Sequence, residues 1–143
     1  MKYLIIILLL TSCNLGMDDY TYSVQPELLP YVETFYKEAE QRGVTILKEN
    51  LTVVIRPVSS SGLAVHDANG NRIVYINPDS FYANSDILEN QREYLIFHEL
   101  AHALLNRRHV KTYSIMNYDK AGEILSDYST GSREELLNEL FHD

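Results

Sequence analysis

The sequence predicts a single domain of the α+β class, and three features lead to this prediction. The chain has 143 residues, 45% of them hydrophobic, which is enough for one compact core but not for two. Apolar residues recur at helical spacing before residue 42 and again in the stretch that ends at Asn106. Short runs rich in β-branched residues lie between these stretches and are typical of strands. We therefore expect an N-terminal helix, a small mixed sheet of about three or four strands, and two further helices.

The first residues resemble a secretion signal. Met1-Lys2 is a short basic start, and the apolar run Tyr3–Leu10 is too short to span a membrane, which needs about 20 apolar residues. Leu10-Thr11-Ser12-Cys13 then resembles the lipobox of bacterial lipoproteins, in which the signal is cut before a cysteine that becomes acylated. Cys13 is the only cysteine, so it has no disulfide partner within the chain.

From this resemblance we expect a signal peptide at 1–12, then a lipidated Cys13 with a tether at 13–25. The protein would then be membrane-anchored in the bacterial cell envelope, either periplasmic or exposed on the surface. A simple signal or short anchor with an incidental cysteine is the alternative.

The folded domain is predicted to span 26–143 and to begin with a helix at roughly 27–42. Apolar residues from Leu28 to Ala39 are spaced three and four apart, and a proline at position 26 or 30 suits a first helical turn. Arg42-Gly43 supplies the stop signal.

Three strands are expected next. Leu51–Ile55 and Arg72–Ile76 are β-branched runs, while Leu63–Asp67 is a weaker strand that ends near the turn signal Asn69-Gly70. This turn signal predicts that the last two strands form a hairpin.

Two further helices are expected. The first should run from about Asp86 or Asn90 to Asn106, because each of these starts opens a capping box with a glutamate three residues later. The last should span roughly 132–141.

The sequence His98-Glu99-Leu100-Ala101-His102 matches the H-E-x-x-H motif within the predicted long helix. Residues four apart lie on one face of a helix, so the two histidines can share a tetrahedral zinc ion. Glu99 lies beside them and can act as the general base of a hydrolytic reaction. Roughly 0.01 occurrences of this motif are expected by chance in a chain of this composition. We therefore expect one zinc ion per chain; an amphipathic helix with two incidental histidines is the alternative.

The residues after the motif resemble those of the metzincin metallopeptidases, whose motif extends as H-E-x-x-H-x-x-G-x-x-H. Here Leu105 and Arg108 occupy the Gly and the last His positions, so the strict pattern fails. Asn106 and His109 have the same mutual spacing, one residue later. Because asparagine also tolerates the left-handed conformation that ends a helix, Asn106 would form the turn and His109 would be the third ligand.

Ser114-Ile115-Met116-Asn117-Tyr118 resembles the Met-turn that metzincins place beneath the metal. In the astacin and serralysin branches, a tyrosine two residues after that methionine reaches the metal or stabilises the oxyanion, and Met116 and Tyr118 match this arrangement. The stretch from His98 to Tyr118, with the C-terminal helix, is also similar to small metallopeptidase-like bacterial lipoproteins. The resemblance implies a zincin-like fold and zinc-dependent hydrolysis of peptide or protein substrates.

Two alternatives remain open. Glu123-Ile124-Leu125-Ser126-Asp127 resembles the local pattern of thermolysin-like gluzincins, in which such a glutamate is the third zinc ligand. The protein could instead be a non-catalytic zinc-binding envelope lipoprotein, although a purely structural site has no need of a general base such as Glu99.

The remaining expectations concern partners. Twelve Lys and Arg residues against 20 Asp and Glu give a formal net charge of −8, which argues against binding of nucleic acid. By analogy with the family, an extended substrate would pair with an exposed edge strand, which we assign to Arg72–Asn77. His66 and His142 have no partner at ligand spacing and are not expected to bind metal.

Overall fold

The computed structural model describes residues 21–82, 89–118 and 132–142, and these form a mixed α+β structure. The predicted signal, Cys13 and Glu123 lie outside the described residues. A 3-10 turn at Pro26–Leu28 leads into the first helix. The strands and helices of the described residues are β1 (Tyr22–Val24), α1 (Leu29–Gln41), β2 (Leu51–Ile55), β3 (Gly62–His66), β4 (Arg72–Ile76), α2 (Pro78–Tyr82), α3 (Glu89–Leu105) and α4 (Arg133–His142).

The four strands form one mixed sheet in the order β1-β2-β4-β3. β1 and β2 are parallel, β2 and β4 are parallel, and β3 runs antiparallel to β4 with Gly62 opposite Ile76. The β3–β4 connection is the predicted hairpin. Its turn needs Gly70, which has a φ of +83°, and the Asp67 carboxylate accepts hydrogen bonds from the backbone N–H groups of Asn69 and Asn71.

The predicted helices are confirmed, with small shifts at their ends. The first comprises the 3-10 turn and α1, and Gly43 follows it with a φ of +76°. α4 lies one residue later than predicted, and α3 ends at Leu105, one residue before the predicted end at Asn106. Residues 83–88 lie outside the described residues, so the alternative helix start at Asp86 stays a prediction.

Two expectations about the sheet were wrong. Tyr22–Val24 was assigned to the tether, but it forms β1, because its parallel pairing with β2 supplies backbone hydrogen bonds that no local pattern reveals. Arg72–Asn77 was expected to be the exposed edge strand, but β4, which occupies Arg72–Ile76, lies between β2 and β3. The edge next to α3 is β3, because the chain turns back at Gly70 and places the hairpin's first strand outermost.

One continuous core joins the sheet to α1, α2, α3 and α4. Phe35 of α1 contacts Phe97 of α3 edge-on, with ring centroids 5.1 Å apart, and it also contacts Phe141 of α4 at 5.1 Å. Buried strand residues such as Leu51 and Val74 belong to the same cluster. α3 also contacts β3 and β4, so the H-E-x-x-H motif lies beside the free edge of the sheet. Within the described residues, no helix combines the length and apolar character that crossing a membrane requires.

Candidate metal centre

The C-terminal half of α3 carries the two motif histidines and the glutamate between them. His98 and Glu99 are buried, with 1% and 5% of their surfaces exposed, and His102 is half-buried. Since His98 and His102 are four residues apart, their rings project from the same face of the helix. Their ring centroids lie 4.8 Å apart.

Asn106 ends α3 and redirects the chain towards the motif. Its φ is +54°, the left-handed conformation predicted for it, and the next N–H, that of Arg107, donates to the carbonyl of Ala101. Three residues later, His109 returns to the same face of α3. The added residue relative to the metzincin spacing therefore does not carry His109 away from the two motif histidines.

The three imidazoles converge through their Nε2 atoms. The Nε2 atoms of His98 and His102 are 3.1 Å apart, those of His98 and His109 are 3.0 Å apart, and those of His102 and His109 are 2.9 Å apart. Within the described residues, this is the cluster of His, Cys, Asp or Glu side chains that can hold a metal ion.

Backbone carbonyls determine the tautomers of the two motif histidines. Nδ1 of His98 lies 2.8 Å from the carbonyl oxygen of Ile115, and Nδ1 of His102 lies 2.7 Å from that of Arg107. A carbonyl oxygen can only accept, so each Nδ1 carries a proton and each neutral ring presents a lone pair at Nε2. Two such lone pairs 3.1 Å apart repel unless a cation lies between them.

The environment keeps the three imidazoles neutral. Burial lowers the pKa of His98 to about 3, and the proximity of His102 and His109 adds to this effect, while the hydrogen bond to Ile115 opposes it. Burial also lowers the pKa values of His102 and His109. The three lone pairs are therefore available at neutral pH, as metal ligands require.

The donor set fits a zinc ion. Zinc with Zn–N bonds of about 2.0–2.1 Å separates its tetrahedral nitrogen ligands by about 3.3 Å, close to the observed Nε2 triangle. Three histidine ligands leave a fourth position for water or substrate, the pattern of catalytic rather than structural zinc sites. His109 is exposed, and the three histidines border an open cleft of about 380 Å³.

Glu99 and the start of β3 complete this cleft. Residues 60–64 form its opposite wall, and Glu99 lines it beside the histidines. Burial raises the pKa of Glu99 to about 8. A dication on the three imidazoles would lower this pKa, because a nearby positive charge favours the carboxylate. Such a group can accept and release a proton near neutral pH.

Gly62 allows this close approach of Glu99 to β3. A Cβ atom at Gly62 would lie 2.6 Å from Cγ and 2.7 Å from Oε1 of Glu99. Only a residue without a side chain leaves room for the carboxylate at this position.

Met116 and Tyr118 occupy different surroundings near the histidines. Met116 is fully buried in the core, next to the residue whose carbonyl binds His98, and its own carbonyl accepts a hydrogen bond from Val110. Tyr118 stacks on the His109 ring, with centroids 4.2 Å apart and an angle of 28° between the planes. The turn therefore borders the site from two sides.

No protein-family model, curated protein or solved structure matches this chain.

The geometry of the site is therefore the only support for the predicted site residues. The structure brings together the three predicted histidines, Glu99 and Tyr118, whereas the rival ligand Glu123 and the lipidation site Cys13 lie outside the described residues. His66 is not part of the metal cluster; its Nε2 donates to the carbonyl of Ala103 and connects β3 to α3.

Sequence reasoning missed two residues of the site. Gly62 could have been noticed as a glycine that begins a strand, which often marks a close approach to another group. Glu139 contacts the turns around the histidines from α4, and no local pattern in the sequence indicates that contact.

Proposed function

We propose that this protein is a zinc-dependent endopeptidase with a metzincin-like site and a zincin-like fold. The observation that supports the proposal most strongly is the Nε2 triangle of His98, His102 and His109, with edges of 2.9–3.1 Å. Two further features favour catalysis over a structural role. A buried Glu99 lines the same cleft, and the three-histidine donor set leaves a coordination position open.

The reaction adds water across a peptide bond. Zinc, when bound, supplies Lewis acidity that makes water a nucleophile near neutral pH and polarises the scissile carbonyl. Glu99 takes a proton from the attacking water and passes it to the leaving amine, so that the hydroxyl group ends on the carbonyl carbon. Tyr118 is the candidate donor to the oxyanion, since its ring stacks on His109 at the border of the site.

The substrate binds as an extended chain along β3 in this proposal. One side of β3 pairs with β4, while the strand ends the sheet and its residues 62–64 line the cleft. An edge strand offers unpaired N–H and C=O groups to an incoming peptide. This assignment replaces the predicted Arg72–Asn77, because β4 (Arg72–Ile76) is an internal strand.

The proposal also places the enzyme in the bacterial cell envelope, anchored by a lipid on Cys13. This part rests on the sequence Leu10-Thr11-Ser12-Cys13.

The decisive experiment compares the full chain with Glu99→Gln. Both proteins are loaded with zinc, their metal content is measured, and their hydrolysis of a labelled unfolded protein is followed. We expect both to hold zinc and Glu99→Gln to lose at least about 100-fold in rate, because the general base is removed. A chelator should abolish the wild-type activity, and added zinc should restore it.

Two results would contradict the proposal. Full activity of zinc-loaded Glu99→Gln would exclude the assigned general base. A zinc-loaded wild type that hydrolyses no peptide bond would favour the non-catalytic zinc-binding lipoprotein.

A further inference from the structure

Two backbone carbonyls orient two of the three candidate ligands, and both lie outside helices and strands. The carbonyl of Arg107 binds Nδ1 of His102, and the carbonyl of Ile115 binds Nδ1 of His98. Such outer partners control the orientation of ligand rings and hence metal affinity. The two irregular segments must therefore be held in place by something else.

The Glu139 carboxylate of α4 contacts both of these segments. Its Oε1 atom accepts a hydrogen bond of 2.6 Å from Nη2 of Arg107, and its Oε2 atom accepts one of 2.8 Å from Oγ of Ser114. Arg107 is the residue whose carbonyl orients His102, and Ser114 directly precedes the residue whose carbonyl orients His98. Both Arg107 and Glu139 have side chains that are mostly shielded from water, 15% and 26% exposed.

Ser114 transmits this contact to the turn that follows it. Its side-chain hydroxyl accepts a hydrogen bond of 3.0 Å from the N–H of Met116. This bond closes a short turn that contains Ile115, the residue whose carbonyl orients His98. Its carbonyl accepts hydrogen bonds from the hydroxyl of Tyr94 at 2.6 Å and from the N–H of Asn117 at 3.1 Å. Ser114 is 2% exposed, so these bonds are protected from competition by water.

We propose that Glu139 is a positioning residue of the metal centre, which orients His98 and His102 together through Ser114 and Arg107. The inference rests on the proposed function only in requiring that the three histidines bind a metal ion. Glu139 is not one of the three candidate ligands; it holds the two carbonyl-bearing segments at the distance that lets both Nε2 lone pairs meet at one point.

Helix α4 has an independent anchor in the core, so Glu139 can be altered without removing the helix. Leu136, Leu137, Leu140 and Phe141 are buried in the cluster that contains Phe35. Glu135 provides a matched control, because it is an exposed glutamate one turn earlier on the same helix. Its replacement removes the same charge from α4 and leaves the hydrogen bonds of Glu139 with Arg107 and Ser114 in place.

The test measures metal affinity in the full chain. The dissociation constant of zinc is determined by competition with a chromophoric chelator for wild type, Glu139→Ala, Glu139→Gln and Glu135→Ala. We expect Glu139→Ala to weaken zinc binding about tenfold or more. Glu139→Gln should lose less zinc affinity, since it retains one acceptor oxygen, and Glu135→Ala should stay within about twofold of the wild-type affinity.

The visible spectrum of bound cobalt should change in Glu139→Ala but not in Glu135→Ala, because ligand geometry alters the ligand field.

Coupling between residues provides a second readout. If Glu139 acts through Ser114, the double variant Glu139→Ala with Ser114→Ala should bind zinc more tightly than the sum of the two single effects predicts. A merely structural contribution to the packing of α4 would lower the melting temperature of the metal-free protein without this coupling.

Unchanged zinc affinity and an unchanged cobalt spectrum in Glu139→Ala would overturn the inference, even if the melting temperature fell. Should Glu139→Ala fail to fold, unchanged affinity in Glu139→Gln would overturn it equally. A wild type that binds zinc but hydrolyses no peptide refutes only the proposed peptidase, and the affinity comparison still decides on Glu139. A wild type that binds no zinc overturns both.

Discussion

His109 is the residue whose role separates the two candidate ligand sets. Its Nε2 atom lies 3.0 Å and 2.9 Å from those of His98 and His102, the geometry that a shared ion requires. We therefore expect His109→Ala to lose zinc and activity together, and Glu123→Ala to retain its metal. Zinc content after dialysis and the rate of peptide hydrolysis check this prediction. The reverse result would assign the protein to the gluzincin-like alternative.

Gly62 determines how closely Glu99 can approach the edge strand. In Gly62→Ala the new Cβ would overlap Cγ of Glu99, so the carboxylate must move while the three histidines keep their places. We expect the hydrolysis rate to fall by about 100-fold, because small displacements of a catalytic group are costly, and the zinc content to stay unchanged. Ser59→Ala, at an exposed position shortly before β3 that does not line the cleft, is the control. Wild-type activity in Gly62→Ala would show that Glu99 works from another position.

The end of α3 is the element that brings His109 to the site. Asn106 has a φ of +54°, which costs most residues about 1–2 kcal/mol but is free for glycine. We expect Asn106→Ala to lower the melting temperature and weaken zinc binding, and Asn106→Gly to retain both properties. Thermal unfolding and the zinc competition assay measure the difference. Equal behaviour of the two variants would mean that the left-handed turn does not position His109.

Ion pairs connect α1, α3 and α4. Glu38 of α1 contacts Arg42 at 2.6 Å and Arg133 of α4 at 2.8 Å, and Arg133 also binds Glu93 of α3 at 2.6 Å. Burial alone would raise the pKa of Glu38, but its hydrogen bonds and charge interactions with Arg133 and Arg42 outweigh burial and lower it.

This network predicts a dependence of stability on acid. Because the folded pKa of Glu38 lies below its unfolded value, its stabilising contribution is complete above the unfolded pKa and is lost as the pH falls through the folded pKa. We expect Glu38→Gln to destabilise the protein by about 2 kcal/mol at pH 7 and to flatten the acid-side loss of stability. Urea unfolding between neutral and acidic pH tests this, with the exposed Glu40→Gln as control. Parallel curves for wild type and Glu38→Gln would exclude the assigned contribution.

At the scale of the whole molecule, the predicted lipid anchor would determine where the proposed peptidase acts. If Cys13 is acylated, the processed protein should partition into the detergent phase, and Cys13→Ala should move it to the aqueous phase. Phase separation of cell extracts followed by immunodetection measures this shift. Unchanged partitioning of Cys13→Ala would rule out the lipid anchor while leaving the metal centre untouched.

Helices and the metal motif could be predicted because their signals are local. The periodicity of Leu28 to Ala39 and the H-E-x-x-H spacing each describe one face of one helix, and both helices are present. The signal for the hairpin was equally local, since Asn69-Gly70 specifies its turn. β1 was missed because three residues carry too little pattern to reveal a strand that depends on pairing with β2.

The residues of the candidate site also fall into those that local sequence predicts and those that only the tertiary structure reveals. Local sequence was sufficient for the positions of His98, Glu99 and His102 on the helix and for the left-handed residue Asn106, because neighbours along one helix determine their geometry. Tertiary structure decided that His109 meets the pair, that β3 rather than β4 borders the cleft, and that Glu139 holds both carbonyl-bearing segments. These contacts join residues far apart along the chain, and only the packing of the helices on the sheet places them within bonding distance.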